Sequence, residues 1–248
     1  MRRRSFKISM PLTGSDPAVA ALTLLLLIIL TAPVGADTNN DFQQWSLIFV
    51  NHELSDKWAA SMQFENRLRD NASDVDKRIY KPAGYYQFTD TLQLGVGYKY
   101  VMKKGSADEQ DPWQELFFRP VPTGKLTWVH QFRWEQRTGS SIDGVVNRLR
   151  YLVHIRRPLG ESGKYYGVAQ EAVRFNAASK DTGPVDGFEQ SRLYFGVGRK
   201  VTPKMNIEVG YLWNYQRIRD ANNLSNHVLR LQFLINTKGL SPFFVRGQ

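Results

Sequence analysis

Apolar and polar residues alternate along most of this chain with a period of two. In LQLGVGYKYV, residues 92–101, Leu92, Leu94, Val96, Tyr98 and Tyr100 fall on one side of an extended backbone, and Gln93, Gly95, Gly97 and Lys99 on the other. From Trp58 to Arg69, Met62, Phe64 and Leu68 oppose Gln63, Glu65, Arg67 and Arg69. From Asn147 to Arg156, Leu149, Tyr151, Val153 and Ile155 oppose Arg148, Arg150, His154 and Arg156. The same rhythm predicts strands over Trp45–Val50, Ile79–Phe88 (weakened by Pro82), Glu115–Val121, Lys125–Arg137, Tyr165–Phe175, Gln190–Val201, Met205–Tyr215 and His227–Asn236, with a short last one over Leu240–Val245. That makes roughly eleven or twelve strands of about ten residues, the length a tilted membrane strand needs and longer than most soluble strands.

The breaks between these segments are of two kinds. Thr89-Asp90-Thr91 and Thr202-Pro203-Lys204 are tight, whereas Lys103–Pro112 and Asn176–Gly187 are long and polar. Outer-membrane barrels sort their connections this way, short turns at one end and longer loops at the other. No helical period and no alternation of strand with helix appears, so parallel α/β folds are excluded. The expectation is all-β: one antiparallel up-and-down transmembrane β-barrel of about 12 strands, in a range of roughly 10–12. A soluble β-sandwich is the competing architecture, since it too has one greasy and one polar face per strand.

The composition of the two faces favours the membrane. The polar face is mainly arginine with some glutamate: Glu65, Arg67, Arg69, Arg133, Glu135, Arg137, Arg148, Arg150, Arg156, Arg192, Glu208 and Arg230. Lysines fall more in turns and loops. Arginine suits a crowded interior because its planar fork binds carboxylates bidentately, so these twelve residues are the candidate lumen lining. The apolar face carries Trp45, Trp58, Tyr98, Tyr100, Trp128, Phe132, Trp134, Tyr151, Tyr211, Trp213 and Tyr215, several near strand ends, as in interfacial aromatic girdles. Gly95, Gly97, Gly196, Gly198 and Gly210, on the lumen side, would leave room for a large side chain from a neighbouring strand.

The N-terminus reads as an export leader. Arg2, Arg3, Arg4 and Lys7 precede an apolar run over Val19–Leu30, and Val34 and Ala36 occupy small-residue positions of a cleavage site after Ala36. Residues 1–36 are therefore expected to be a signal peptide and 37–248 a single barrel domain. Beyond that leader nothing approaches the ~20 apolar residues of a spanning helix, which excludes a helical membrane protein. The chain has no cysteine, so neither a lipoprotein anchor nor a thiolate metal site is on offer. Of the net charge of +10, the leader's four bases and one acid account for +3, leaving +7. That excess points to outer-membrane lipid and small anionic solutes as partners, and away from nucleic acid for an exported chain.

The order of several short motifs carries a family resemblance. Trp45-Ser46, Glu65-x-Arg67, Leu94-Gly95-Val96-Gly97-Tyr98, Glu135-Gln136-Arg137, Arg148-Leu149-Arg150-Tyr151, the run from Arg192 to Gly198 and Asn226-His227-Val228-Leu229 together resemble the bacterial domain-of-unknown-function family numbered twenty-four ninety, from Phe42 to about Asn236. The resemblance implies an uncharacterised Gram-negative outer-membrane β-barrel and no reaction. Barrels of that membrane commonly end in an aromatic residue. Here Phe243-Phe244 is followed by Val245-Arg246-Gly247-Gln248, which leaves the closing strand open.

Chemistry is sparse. His52, His130, His154 and His227 have no ligand partner at metal-binding spacing, and no cofactor motif occurs. Ser225 and His227 share a strand face and are the nearest approach to a nucleophile and its base. Three readings stay open: a porin-like barrel whose arginine-rich lumen favours anions, a closed structural or envelope-interaction barrel, and an integral lipid hydrolase. No enzymatic activity is the expectation.

Overall fold

The computed structural model describes residues 38–238 apart from 123, 140, 141, 143 and 178–182. Within them lie eleven strands: β1 (Thr38–Glu53), β2 (Trp58–Arg69), β3 (Asp74–Gln87), β4 (Leu92–Lys103), β5 (Glu109–Phe118), β6 (Thr127–Gly139), β7 (Val146–Leu159), β8 (Tyr165–Ala177), β9 (Gly187–Thr202), β10 (Met205–Gln216) and β11 (Asn223–Asn236). Each pairs with its neighbours in sequence order, and β1 joins β11 to close a barrel. The expected leader, residues 1–36, and the short strand expected over Leu240–Val245 lie outside the described residues.

Ten of the pairings are antiparallel; the closing one, β1 with β11, is parallel, in register from Thr38 opposite Asn223 to Asn51 opposite Asn236. Among the described residues the eleven strands fall within the expected range of roughly 10–12, and the barrel differs from the wholly antiparallel expectation in the sense of one seam. The reason is arithmetic: strands that alternate in direction leave the first and last parallel whenever their number is odd. We call the end at which β1 begins the near end. The long Asn176–Gly187 segment and the charged Lys103–Pro112 segment map to the near end, while Thr89–Thr91 and Thr202–Lys204 map to the far end. The sorting is partial, since residues 119–126, between β5 and β6, make an eight-residue far-end connection.

Alternation in burial shows what each face meets. In β5, Glu109, Asp111, Trp113, Glu115 and Phe117 are buried in the bore, while Gln110, Pro112, Gln114 and Phe118 are exposed. Outward-facing Val96, Phe132, Trp134, Leu149, Phe195 and Val209 are each about half exposed or more. A soluble protein rarely displays so continuous an apolar surface, and strands of 10–16 residues are long enough to cross a bilayer at a tilt. Aromatics cluster toward both rims: Trp58 packs on Tyr86 at 4.8 Å near the far end, and Trp213 on Tyr215 at 6.1 Å near the near end.

The far half of the bore holds two apolar clusters alongside buried polar groups such as Gln131 and the Arg119–Gln93 pair. Tyr85, Trp113, Phe117, Val129 and Ala59 form one cluster, and Leu47, Phe49 and Leu234 another. The inward glycines make this packing possible. A Cβ at Gly95 would lie 2.7 Å from the Tyr85 ring, and one at Gly198 would meet the Tyr166 ring and hydroxyl. Glycine is therefore used here for close approach by a neighbouring aromatic.

Trp45 does not face lipid. It is only 3% exposed, inside the bore. The alternation on β1 is ambiguous, because Gln44 and Ser46 occupy its outward face while Trp45, Leu47 and Phe49 point in. Lysines also enter the bore: Lys81 and Lys99 line it, contrary to the expectation that lysines sit in turns and loops.

Candidate functional site

The near half of the bore is a chamber of about 640 Å³ that reaches the β2–β3 turn at Asp70 and Asn71. Below it a smaller space of about 70 Å³ lies deeper among Glu65, Arg150, Arg174, Arg192 and Arg230. Period-two alternation puts an inward residue from every strand at these two levels. Of the twelve arginines and glutamates singled out from sequence, Arg67, Arg69, Arg133, Glu135, Arg137, Arg148, Arg150 and Arg192 line the upper chamber, and Glu65 and Arg230 the lower space. Arg156 and Glu208 pair with each other at 2.5 Å deeper in the bore, where Tyr166 also donates to Glu208 at 2.9 Å.

The sequence reading missed much of the acidic half. Glu109 and Asp111 fall in the segment expected to be a loop, because Pro112 and a run of charges obscure their alternation, yet both begin β5 and point inward. Glu115 lies further along the same face. Glu189 is inward for a different reason. Between Arg174 and Phe175 the β8–β9 register slips, so that Arg174 opposes Gln190 and Phe175 opposes Phe188. The extra residue of this β-bulge puts Glu189 and Gln190 both on the lumen side.

These acids neutralise one set of bases. Arg67 chelates Glu65 Oε1 through Nε (2.9 Å) and Nη2 (2.7 Å). Arg133 donates to Glu115 at 2.7 Å, and Lys99 pairs with Asp111 and, at 3.5 Å, with Glu135. Arg137 bridges Glu109 at 3.0 Å and Glu189 at 2.9 Å. Arg148 binds Glu135 and, at 3.2 Å, Glu189. Buried ions need such partners, because an uncompensated charge in a low-dielectric interior is costly.

A second set is held differently. Among the described residues Arg150, Arg174, Arg192 and Arg230 form no ion pair. Arg174 donates to the amide oxygen of Gln190. Arg192 donates to that of Asn214 at 2.9 Å, and Gln190 donates to the same oxygen at 2.6 Å. Arg192 also lies 4.8 Å from the Trp45 ring centroid, with Arg67 at 3.6 Å on that indole, and Arg230 sits 5.1 Å over Tyr194. Neutral amides and ring faces orient Arg174, Arg192 and Arg230 and leave their charge in place, while Arg150 has its Nε buried without an acceptor.

At the near rim, Asp108 in the β4–β5 loop has its carboxyl held below the usual carboxylate range by the Tyr100 hydroxyl, which donates to it at 2.6 Å, and by the Lys103 N–H at 3.2 Å. On the outer face, Ser225 and His227 share a side of β11, and each is engaged by an aromatic of β10. Trp213 Nε1 donates to Ser225 Oγ at 3.0 Å, and the Tyr211 hydroxyl meets His227 Nδ1 at 2.7 Å.

Residues 42–225 match a family model described as a protein of unknown function (DUF2490). An uncharacterised protein of Methylorubrum extorquens is 26% identical over 219 residues, which cover 86% of this chain and 96% of that one. Among solved structures, the NanC porin superposes with a TM-score of 0.52 at 12% identity, covering 79% of this chain and 98% of the porin. A bacterial polysaccharide outer membrane secretin aligns with a TM-score of 0.45 at 11% identity, over 70% of this chain and 64% of its own, so this chain spans less than two thirds of that protein. The likeness to the porin is one of fold.

Proposed function

Since the chain belongs to the DUF2490 family of proteins of unknown function and closes a porin-like barrel, we propose that it is exported through a cleaved leader and resides in the bacterial outer membrane, where its arginine-lined chamber admits small anions. One observation carries this reading: the barrel is inside out relative to a soluble sheet protein. On β7 the inward row is Arg148, Arg150, Leu152 and His154, and the outward row includes Leu149, Tyr151 and Ile155. Hydrocarbon outside and ions inside is the arrangement a bilayer selects. Rings of cationic side chains set selectivity for anions.

Planar-bilayer recording on protein refolded into detergent tests the proposal. Anion-selective reversal potentials, together with faster gel migration before boiling than after, support it. Identical migration and recovery in the soluble periplasmic fraction would overturn the membrane assignment. The apolar clusters in the far half of the bore favour a second reading, a barrel that takes up anions at one end without conducting. Its signature is a folded, membrane-inserted protein with no steady channels. Neither reading invokes an enzymatic activity, a metal or a cofactor.

A further inference from the structure

The unpaired guanidinium groups are not scattered. Arg133, Arg150 and Arg174 stand directly opposite one another across β6, β7 and β8. Like charges in directly opposed positions destabilise a sheet, since their Cβ atoms are only about 5 Å apart. Arg133 is relieved by Glu115. Arg150 and Arg174 have no such relief among the described residues, and the Nε atoms of both are buried without an acceptor. Arg192 and Arg230 join them around the lower space, below the chamber. Glu65 lies in the lower space itself but is held by Arg67 and, at 3.4 Å, by Lys81, and the other nearby acids are committed elsewhere: Glu115 to Arg133, and Glu135 and Glu189 to Arg148. The protein therefore holds an excess of positive charge at the bottom of a cavity open to one end, where neutral amides bond Arg174 and Arg192 without cancelling their charge.

We infer that Arg150, Arg174, Arg192 and Arg230 form a receiving site for a tetrahedral oxyanion of two negative charges, the phosphate group of a small phosphate ester or free phosphate. This rests on the anion-accepting chamber proposed above and deepens it. A planar carboxylate presents two oxygens in one plane. A phosphate presents oxygens in several directions and can take forks from several strands at once. Its charge offsets the mutual repulsion of the cluster. The upper chamber is of the size that encloses a small organic ligand, and the amides of Asn39 and Asn226 line it, groups that suit the hydroxyls of an esterified sugar.

Titration calorimetry on the folded barrel in detergent, with inorganic phosphate, glucose 6-phosphate and acetate as probes, tests the site. The expected order is glucose 6-phosphate tightest, then phosphate, with acetate weakest. Arg150→Gln and Arg174→Gln should each weaken phosphate binding ~10-fold or more, whereas Lys57→Gln, in a far-end turn, should not. Arg150→Gln carries a second signature: removing one of a set of like charges should raise the unfolding temperature without ligand while lowering phosphate affinity. Equal binding by phosphate and glucose 6-phosphate supports the site with the free ion as occupant. Acetate binding as tightly as phosphate, or unchanged affinity in both arginine variants, would overturn it. Anion-selective conductance without phosphate binding sinks the site and leaves the chamber standing; absence of both sinks the two together.

Discussion

Trp113 fills the space that a side chain at position 97 would need. A Cβ on Gly97 would lie 2.6 Å from Trp113 Cε2 and 2.7 Å from the Pro82 carbonyl oxygen. The indole has nowhere to retreat, because it is 2% exposed and the Arg133 guanidinium covers its face at 4.2 Å. Gly97→Ala should therefore destabilise the barrel by about 1–3 kcal/mol, the usual range for overpacking. Urea unfolding of the folded protein in micelles measures it. Combining Gly97→Ala with Trp113→Phe should recover much of the loss, and absence of recovery would place the strain elsewhere.

The same aromatic packing bears on passage through the bore. If Tyr85, Trp113 and Phe117 obstruct the far half, the double variant Trp113→Ala/Tyr85→Ala should conduct several-fold more current than the parent. The cost is a cavity penalty of about 3–5 kcal/mol for each ring removed. Single-channel recording reads this directly. Conductance that does not change means that ions are blocked at some other level.

How much of this was legible in the residue order depends on what each strand face meets. Where one face is apolar and the other charged, as in β2, β6 and β7, alternation puts the arginines on one side of the strand, the side that lines the chamber. Glycine positions such as Gly97 announced a large inward neighbour. On β1 the code failed, because the outward Gln44 and Ser46 are polar and the inward Trp45 is not. Glu109 and Asp111 were hidden behind a charge run and a proline. Glu189 depends on a bulge that no single-strand pattern reveals. The parallel seam pairs residues 185 positions apart, from Thr38 with Asn223 to Asn51 with Asn236, a contact that local periodicity does not encode.

Glu135 is the acid on which the upper network converges. It contacts Arg148, lies 3.5 Å from Lys99 and 3.7 Å from Arg133, and is 2% exposed. Glu135→Gln strands buried cations and should cost about 3–5 kcal/mol. The same change adds net positive charge to the chamber, so any anion selectivity should rise even as stability falls. Urea midpoints and reversal potentials on one preparation test both halves. Lower stability with lower anion selectivity would contradict the lumen assignment.

The β2–β3 turn stores strain that glycine would relieve. Asp70, Asn71 and Ala72 all have positive φ, 61° at Ala72. Asp41, at the start of β1, holds the turn by accepting from the N–H groups of Asp70 at 3.2 Å and Asn71 at 3.1 Å. An alanine in this region costs roughly 1–2 kcal/mol, so Ala72→Gly should stabilise by about 1 kcal/mol after allowing for the greater freedom of glycine in the unfolded chain. Asp41→Ala should loosen the turn, and faster proteolysis at residues 70–73 would report it. A stability loss in Ala72→Gly would mean that the left-handed conformation is not adopted in solution.

The parallel closure makes the sharpest geometric prediction. Gln44 on β1 stands opposite Leu229 on β11, both on the outer face. The chain has no cysteine to interfere. Adjacent strands run about 4.8 Å apart, within the Cα separation a disulfide spans, so the pair Gln44→Cys and Leu229→Cys should oxidise in the folded, membrane-inserted protein. Phe233 lies four residues further along β11, roughly 13 Å away at strand rise, and Gln44→Cys with Phe233→Cys should stay reduced. Mobility on a non-reducing gel separates the two. If neither pair closes, β1 does not meet β11 in the membrane and another segment must lie between them. If the second closes in place of the first, the seam exists in a shifted register, and the level at which Trp45 meets Arg67 and Arg192 would shift with it.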